Sequence, residues 1–135
     1  MRRLLRPAPA AALAAALACA TARPQPAAPL PQGLDDGAAR ASLGRFARDL
    51  GDRRFDDALR LLSARWRDAY TPGRLAVDFA GGGPSAREAA TRVLAALASG
   101  AVLERAAGRA RLPLGEGRAA VLVAEEGSWR VDAIE

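Results

Sequence analysis

The chain has 135 residues, with twenty basic and fifteen acidic side chains, a formal net charge of +5 and no histidine. This length has room for one domain, and the lack of histidine excludes Ser-His and Cys-His nucleophilic catalysis. Every basic residue is arginine, and three stand in the first six positions, which leaves seventeen arginines against fifteen acids, or +2. That excess is too small for the basic surface of a nucleic-acid-binding protein, so we expect no nucleic-acid partner.

Residues 1–19 have the layout of a secretory signal peptide: three arginines, a short alanine- and leucine-rich run, then small residues. The apolar run is too short to span a bilayer. Ala16–Cys19 resembles a bacterial lipobox, whose cysteine is lipidated and becomes the mature N-terminus, and ordinary cleavage after Ala20 is the alternative. We therefore expect a cell-envelope protein, anchored to the membrane by lipid on Cys19 or else periplasmic or secreted.

Residues 20–34 are rich in proline and alanine and show neither a helical nor a strand period. Proline-rich segments of this kind are extended and semi-rigid, so we expect a tether between the anchor and the folded part. Residues 35–135 are predicted to form a single α+β domain.

Helical periodicity predicts the first part of that domain. Asp35 or Asp36 caps a helix that ends at Gly51. A second helix begins near Phe55 and is broken or capped again at Ser63. The apolar face of the first helix contains Leu43, Phe46, Ala47 and Leu50. The short helical piece after the break contains Trp66 and Tyr70.

Two further helices are predicted after that piece. Thr71-Pro72 is a cap followed by proline at the first helical position. Ser85 and Glu88 fit a capping box for a last helix that ends at Gly100. Its apolar face contains Ala90, Val93, Leu94 and Leu97.

Beyond Gly100 the apolar period changes from about 3.6 to 2, which predicts strands. Residues 101–105 and 110–114 form the first two, with Glu104 opposite Arg111 as a favourable cross-strand pair. Pro113 has no N–H to donate to a ladder, so we expect a bulge or an edge position there.

The last two strands form a hairpin over Gly117–Ile134. A two-residue turn requires positive φ at Glu126 and Gly127, which glutamate tolerates poorly, so a three-residue loop over Glu125–Gly127 is favoured. That loop places one wholly apolar set of side chains on the core face: Ala119, Val121, Val123, Trp129, Val131 and Ala133.

The predicted fold class is α+β, with N-terminal helices packed on a curved four-stranded antiparallel meander. Residues 46–63 run helix, Gly-Asp, helix, Leu-Leu-Ser, and residues 126–131 read Glu-Gly-Ser-Trp-Arg-Val. Both stretches resemble the nuclear transport factor 2-like family, whose cone-shaped fold ketosteroid isomerases and polyketide cyclases also use. The resemblance implies a cone with an open side, and neither stretch is catalytic, so it implies no activity by itself.

Tyr70, Asp78 and Asp132 are the candidates for chemistry in such a cone. A tyrosine can donate to a developing enolate, and a buried aspartate can act as a base. The alternative is structural: a tyrosine packed at a helix end and two paired or solvated aspartates. An enzyme requires Tyr70 and an aspartate to converge in one apolar cavity.

Trp66 and Arg130 complete the predicted ligand-binding set. Trp66 is either a core residue or part of a ligand platform. Arg130 shares the mixed face of the hairpin with Arg118 and Asp132, where it meets an acidic ligand or only solvent. The sequence lacks the usual ligands of zinc, haem and iron–sulfur clusters, and we expect no metal site and no cofactor.

Two functions follow from these observations. The first is a non-enzymatic envelope domain that binds a small molecule or another envelope protein. The second is a small cofactor-independent enzyme, isomerase- or cyclase-like, with carboxylate acid–base chemistry in the cone.

Overall fold

A computed structural model describes residues 33–81 and 84–135, and the side chains of Pro84 and Ser85 are not described. Within these residues five helices precede four strands, which confirms the predicted α+β class. The helices are α1 (Asp36–Gly51), α2 (Phe55–Leu61), α3 (Ala64–Ala69), α4 (Pro72–Gly81) and α5 (Pro84–Ala98). The strands are β1 (Glu104–Ala106), β2 (Arg109–Gly115), β3 (Arg118–Glu125) and β4 (Ser128–Ile134). They form a curved antiparallel meander in the order β1-β2-β3-β4.

The predicted signal peptide over residues 1–19, its Cys19 and residues 20–32 of the predicted tether lie outside the described residues. Leu34, which the sequence assigned to the tether, is buried in the core, and its carbonyl accepts a hydrogen bond from Arg105 at 3.0 Å. In the described ranges, no helix combines the length and the apolar character needed to cross a bilayer.

The predicted helix boundaries hold closely in α1. Asp35 is the N-cap, and its carboxylate accepts from the backbone N–H of Ala38 at 2.7 Å. The helix ends at Gly51, and its four predicted apolar residues are all buried. In α5 the capping-box prediction is wrong, because the helix begins at Pro84 and Ser85 already lies in its first turn.

The sheet confirms the predicted pairing at its first hairpin, where Glu104 lies opposite Arg111. The second pair of strands shows the irregularity expected at Pro113, since the register shifts between Pro113 and Gly115. Pro113 also lies beyond the short β1, so nothing in the ladder needs its missing N–H on that side.

The turn between β3 and β4 differs from the prediction. Glu125 pairs with Ser128, which leaves the two-residue loop Glu126-Gly127, and φ is positive at both residues (51° and 73°). The three-residue loop is therefore wrong. A two-residue turn with positive φ at both positions matches the twist of the flanking strands, and that match outweighs the cost at glutamate.

This register inverts the predicted core face of β3. Ala120 and Leu122 are fully buried in the hydrophobic core, whereas Val121 and Val123 are half-buried on the other face. A one-residue slip exchanges the two faces of a strand, and here the exchange falls on β3.

On β4 Trp129 and Val131 are buried as predicted, 3% and 1% exposed. The prediction is wrong for Ala133, which pairs with Val121 on the other face because β4 has an irregularity of its own beyond Val131.

That irregularity is a bulge at Asp132. Leu122 pairs with Val131 and Val121 pairs with Ala133, so Asp132 is the extra residue. The free edge of β4 is covered at the same level by the chain between α2 and α3. There Leu62 bridges to Val131, and the N–H of Ser63 donates to the Val131 carbonyl at 2.8 Å.

Candidate functional site

A largely apolar cleft of about 310 Å³ lies beside the bulged edge of β4. Helices α1, α3, α4 and α5 and the end of α2 form its other walls. We call it the edge cleft. Its lining residues are Phe46, Leu50, Leu62, Trp66, Tyr70, Leu75, Asp78, Phe79, Ala86, Ala89, Val131, Asp132, Ala133 and Ile134. Four of the five residues that the sequence proposed for ligand binding are among them.

The break at Ser63 positions Trp66 and Tyr70, two of the four aromatic residues of the cleft. It starts α3 directly beside β4, and the Glu125 carboxylate accepts from the first N–H of the helix, that of Ala64, at 2.9 Å. The indole N–H of Trp66 then donates to the backbone carbonyl of Asp132. Tyr70 ends the helix, with its ring edge-to-face against Trp66 at 5.5 Å between centroids. The indole orientation is therefore fixed by the edge strand.

Asp132 is buried and multiply bonded. Its Oδ1 accepts from the Ser63 hydroxyl and from Arg65 Nε, both at 2.7 Å, and the Arg109 guanidinium lies 3.7 Å from Oδ2. Burial alone raises the pKa of Asp132, but the hydrogen bonds from Arg65 and Ser63 and the charges of Arg65 and Arg109 outweigh it. The net effect lowers the pKa below its ordinary value of 3.8. The carboxylate is thus held in its ionised form.

Tyr70 and Asp78 meet on the opposite wall. Thr71 caps α4, its hydroxyl accepting from the N–H of Arg74 at 3.1 Å, and Asp78 lies one turn further along. Hydrogen bonding to the Asp78 carboxylate raises the pKa of Tyr70 above its ordinary 10.0, and burial and the Asp78 charge act in the same direction. Asp78 itself pairs with Arg74 at 3.3 Å. Tyrosine and aspartate therefore converge on one cleft, as an enzyme of the predicted kind requires.

Arg130 is the predicted site residue that does not line the cleft. It pairs with Val123 on the other face of the sheet, and its guanidinium donates to the Arg60 carbonyl at 2.6 Å. The arginine that bonds Asp132 is Arg65, from α3, rather than Arg130. The partner of Asp132 therefore comes from a helix and not from the hairpin face that Arg130 was predicted to share with it.

Sequence reasoning missed Ser63 and Arg65 as members of the site. Ser63 was noted only as a helix breaker, yet its hydroxyl bonds Asp132 instead of capping α3. Nothing in the local pattern distinguishes Arg65 from the many other arginines. The bulge at Asp132 is a separate irregularity from the turn, and no signal in the local sequence indicates it.

Chemically the cleft offers aromatic surface, aliphatic surface and two carboxylates. Asp78 and Asp132 are its only charged lining residues among those described, and both are paired with arginines. Across residues 33–81 and 84–135, no group of three or more metal-ligating side chains comes together.

No protein-family model matches the chain, and no match is found among curated proteins or among solved structures. The geometry of the cleft is therefore the basis for assigning a function.

Proposed function

We propose that the edge cleft binds a small, largely apolar molecule that carries a cationic or hydrogen-bond-donating group, and that the domain does not convert it. The observation that carries this proposal is the lining itself: apolar side chains, four aromatic residues and, among the described residues, no charge other than two carboxylates. Ligand pockets typically combine such apolar walls with a few fixed polar groups.

Trp66 and Tyr70 supply a rigid part of the binding surface. Trp66 is immobilised by its bond to the Asp132 carbonyl, and Tyr70 packs on its edge. A rigid aromatic wall binds a flat apolar or cationic group with little loss of side-chain entropy. The ligand's polar group is directed to Asp78, whose side chain is 40% exposed and is paired only with the exposed Arg74.

The runner-up is an acid–base enzyme, and the convergence of Tyr70 and Asp78 on one cleft favours it. The electrostatics oppose it. A general acid or base works best with a pKa near neutrality, whereas the pKa of Tyr70 is raised and that of Asp132 is lowered, so both move away from pH 7. We therefore place binding ahead of catalysis.

The cellular localisation of the domain is part of the same proposal. A lipobox-like Ala16–Cys19 and a proline-rich stretch after it support a domain held at the membrane by lipid on Cys19, with a free periplasmic or secreted form as the alternative. Intact mass of the membrane-extracted protein tests this: a diacyl- or triacyl-modified cysteine supports the anchor, and an unmodified N-terminus at Thr21 refutes it. The helix-then-meander order also supports the resemblance to nuclear transport factor 2-like domains, as a proposal of fold ancestry only.

Binding is tested with tryptamine, a cationic aromatic probe, followed by ¹H–¹⁵N NMR. The chain has two indole N–H groups: Trp66 lines the cleft, and Trp129 is buried in the core, donating to the Asp35 carbonyl at 3.2 Å. Tryptamine should shift the Trp66 signal and leave that of Trp129 in place. Asp78→Asn should weaken binding, and Asp56→Asn, an exposed carboxylate on α2 outside the cleft, should not. Equal shifts of both indoles would refute a site in the cleft.

Catalysis is tested separately with a β,γ-unsaturated ketone whose conjugated product absorbs in the ultraviolet. We expect no conversion above the rate in buffer. Turnover that disappears in both Tyr70→Phe and Asp78→Asn would establish the enzyme instead.

A further inference from the structure

A second depression lies on the other side of α4. Helices α1, α4 and α5 and the first residue of α2 enclose about 780 Å³, compared with about 310 Å³ for the edge cleft, and Phe79 lines both. Its walls are otherwise mostly alanine, leucine and phenylalanine side chains. We call it the arginine groove, because its charged lining residues among those described are Arg53 and Arg87.

Neither guanidinium is neutralised by the residues that the structure describes. Most arginines of the domain bond a carboxylate or a carbonyl, as Arg54 does with Asp49 and Arg92 with Glu88. Within residues 33–81 and 86–135, Arg53 and Arg87 form no ion pair and no side-chain hydrogen bond, and no Asp or Glu lines the groove. Two exposed positive charges therefore border the groove without a counter-charge among the described residues.

The backbone at Arg53 is held in a conformation that arginine disfavours. The φ of Arg53 is +60°. Arg53 lies in the turn that follows α1, where the N–H of Arg54 donates to the Asp49 carbonyl at 2.7 Å. Glycine is the usual residue at such a position after a helix, because it has no Cβ to clash. A strained non-glycine residue often marks a functional position. Here the residue with positive φ is one of the two arginines that line the groove.

We propose that the arginine groove binds a single-chain anionic amphiphile, an alkyl chain that ends in a carboxylate or a phosphate. The alkyl chain lies along Phe55, Phe79 and Leu94, and the anionic end pairs with Arg53 and Arg87. Guanidinium forks match both carboxylate and phosphate oxygens. The volume falls within the range of small-molecule sites, about 300–1,000 Å³. This site is independent of the function proposed for the edge cleft.

Isothermal titration with dodecanoate and with dodecyl phosphate, each below its micelle concentration, tests the proposal. At least one of the two should bind with one ligand per chain, and their relative affinity identifies the head group. Dodecyltrimethylammonium, with the same chain and the opposite charge, should bind at least ten-fold more weakly, because a charge-assisted pair is lost. Equal binding of the cationic and anionic probes would overturn the proposal.

Variants separate the groove from general charge effects. Arg53→Gln and Arg87→Gln should each weaken dodecanoate or dodecyl phosphate about ten-fold. Arg118→Gln removes an exposed arginine at the start of β3, outside the groove, and should leave the affinity unchanged. Equal weakening in all three variants would mean that net charge, not the groove, attracts the anion, and would overturn the proposal.

Arg53→Gly distinguishes a loss of binding from a loss of folding. Glycine suits the positive φ at this position, so the variant should be at least as stable as the parent while losing about ten-fold in affinity. Undiminished binding in Arg53→Gly would refute a role for this guanidinium. Binding only to anionic vesicles, with neither soluble amphiphile bound, would assign the charge to a membrane surface and would likewise refute the proposal.

Discussion

The edge cleft and the arginine groove lie on two sides of Phe79. They differ in whether their charged lining residues already have partners. In the cleft both acids are already engaged, Asp132 by Arg65 and Asp78 by Arg74. In the groove the arginines have no partner among the described side chains. A paired charge contributes shape and rigidity to a site, whereas an unpaired one attracts a ligand of opposite sign. We therefore expect the cleft to select mainly for apolar shape, with Asp78 directing the polar group of its ligand, and the groove to select mainly for charge.

In each region one of the two charges lies at an irregular backbone position. Asp132 is the extra residue of the β-bulge in β4, and Arg53 has a positive φ. Bulges and left-handed residues re-aim side chains that a regular strand or helix would direct elsewhere. The other two charges, Asp78 on α4 and Arg87 on α5, lie on regular helices.

The largest expected effect comes from a substitution in the wall that the edge cleft and the arginine groove share. Phe79 lines both regions and packs edge-to-face on Phe55 at 6.0 Å. Phe79→Ala should lower the free energy of unfolding by about 2–3 kcal/mol, less than for a fully buried ring because Phe79 is half-buried. It should also weaken both tryptamine and dodecanoate. Chemical denaturation and titration measure these effects.

Val77→Ala is the matched control on the same helix, since Val77 is 65% exposed. It should change stability by less than about 0.5 kcal/mol and neither affinity. Loss of only one of the two affinities in Phe79→Ala would show that the regions do not share this wall.

The next effect concerns the cleft alone. Asp132→Asn keeps a partner for the Ser63 hydroxyl but removes the charge that Arg65 and Arg109 face. Bonds to charged groups are worth about 1.5–3 kcal/mol, so the variant should lose about 2 kcal/mol of stability. Dodecanoate binding in the groove should not change. A variant as stable as the parent would mean that Asp132 is not held by these arginines.

The pH dependence of that loss follows from the lowered pKa of Asp132. Because the folded-state pKa lies below the unfolded value near 3.8, the carboxylate stabilises the fold fully above that value and progressively less as the pH falls through the folded-state pKa. The stability difference between the parent and Asp132→Asn should therefore be constant near neutrality and shrink in acid. Denaturation curves from pH 7 to about pH 2.5 measure it.

The sequence predicts the parts of this fold that depend on local pattern. The cap at Asp35, the end of α1 at Gly51, the break at Ser63 and the irregularity at Pro113 are each carried by one residue whose chemistry is specific to that role. The buried face of α1 follows from its spacing alone. Local signals of this kind need no knowledge of what packs opposite.

The core face of β3 was predicted wrongly because the local cost of positive φ at Glu126 was taken to decide the turn. The observed register places Ala120 and Leu122 on the same buried face as Trp129 and Val131, and this packing outweighs that local cost.

The bulge at Asp132 and its bond to Arg65 have no local sequence signal. The arginine groove was not predicted at all, since Arg53 and Arg87 are far apart in sequence and no periodicity relates them. Long-range placement of this kind depends on packing.

A smaller effect concerns the groove alone. Arg53→Gly should raise the free energy of unfolding by about 1 kcal/mol, because it relieves the left-handed backbone of a residue with a Cβ. Tryptamine binding in the cleft should be unchanged. Arg54→Gly, one residue later, removes the ion pair with buried Asp49 and should destabilise the fold instead. Equal destabilisation by both substitutions would show that Arg53 is there for stability and not for the groove.

The smallest expected effect is a change in the pKa of Tyr70, which tests how nearby charges act on the cleft. Tyr70 is the only tyrosine in the chain, so ultraviolet absorbance of the phenolate reports this residue alone. The Asp78 carboxylate raises the pKa of Tyr70, and the charge of Arg74 opposes that rise. Arg74→Gln should therefore raise the pKa of Tyr70 further, while the loss of one exposed helical ion pair costs less than about 0.5 kcal/mol. Arg60→Gln removes a similar exposed pair with Asp57 on α2 and should leave the phenolate titration unchanged. An unchanged pKa of Tyr70 in Arg74→Gln would mean that the Arg74 charge does not reach the phenol. Asp78→Asn should lower the pKa of Tyr70. An unchanged value in that variant would mean that Asp78 does not face the phenol, and the polar end of the proposed ligand site would have to be sought at Asp132.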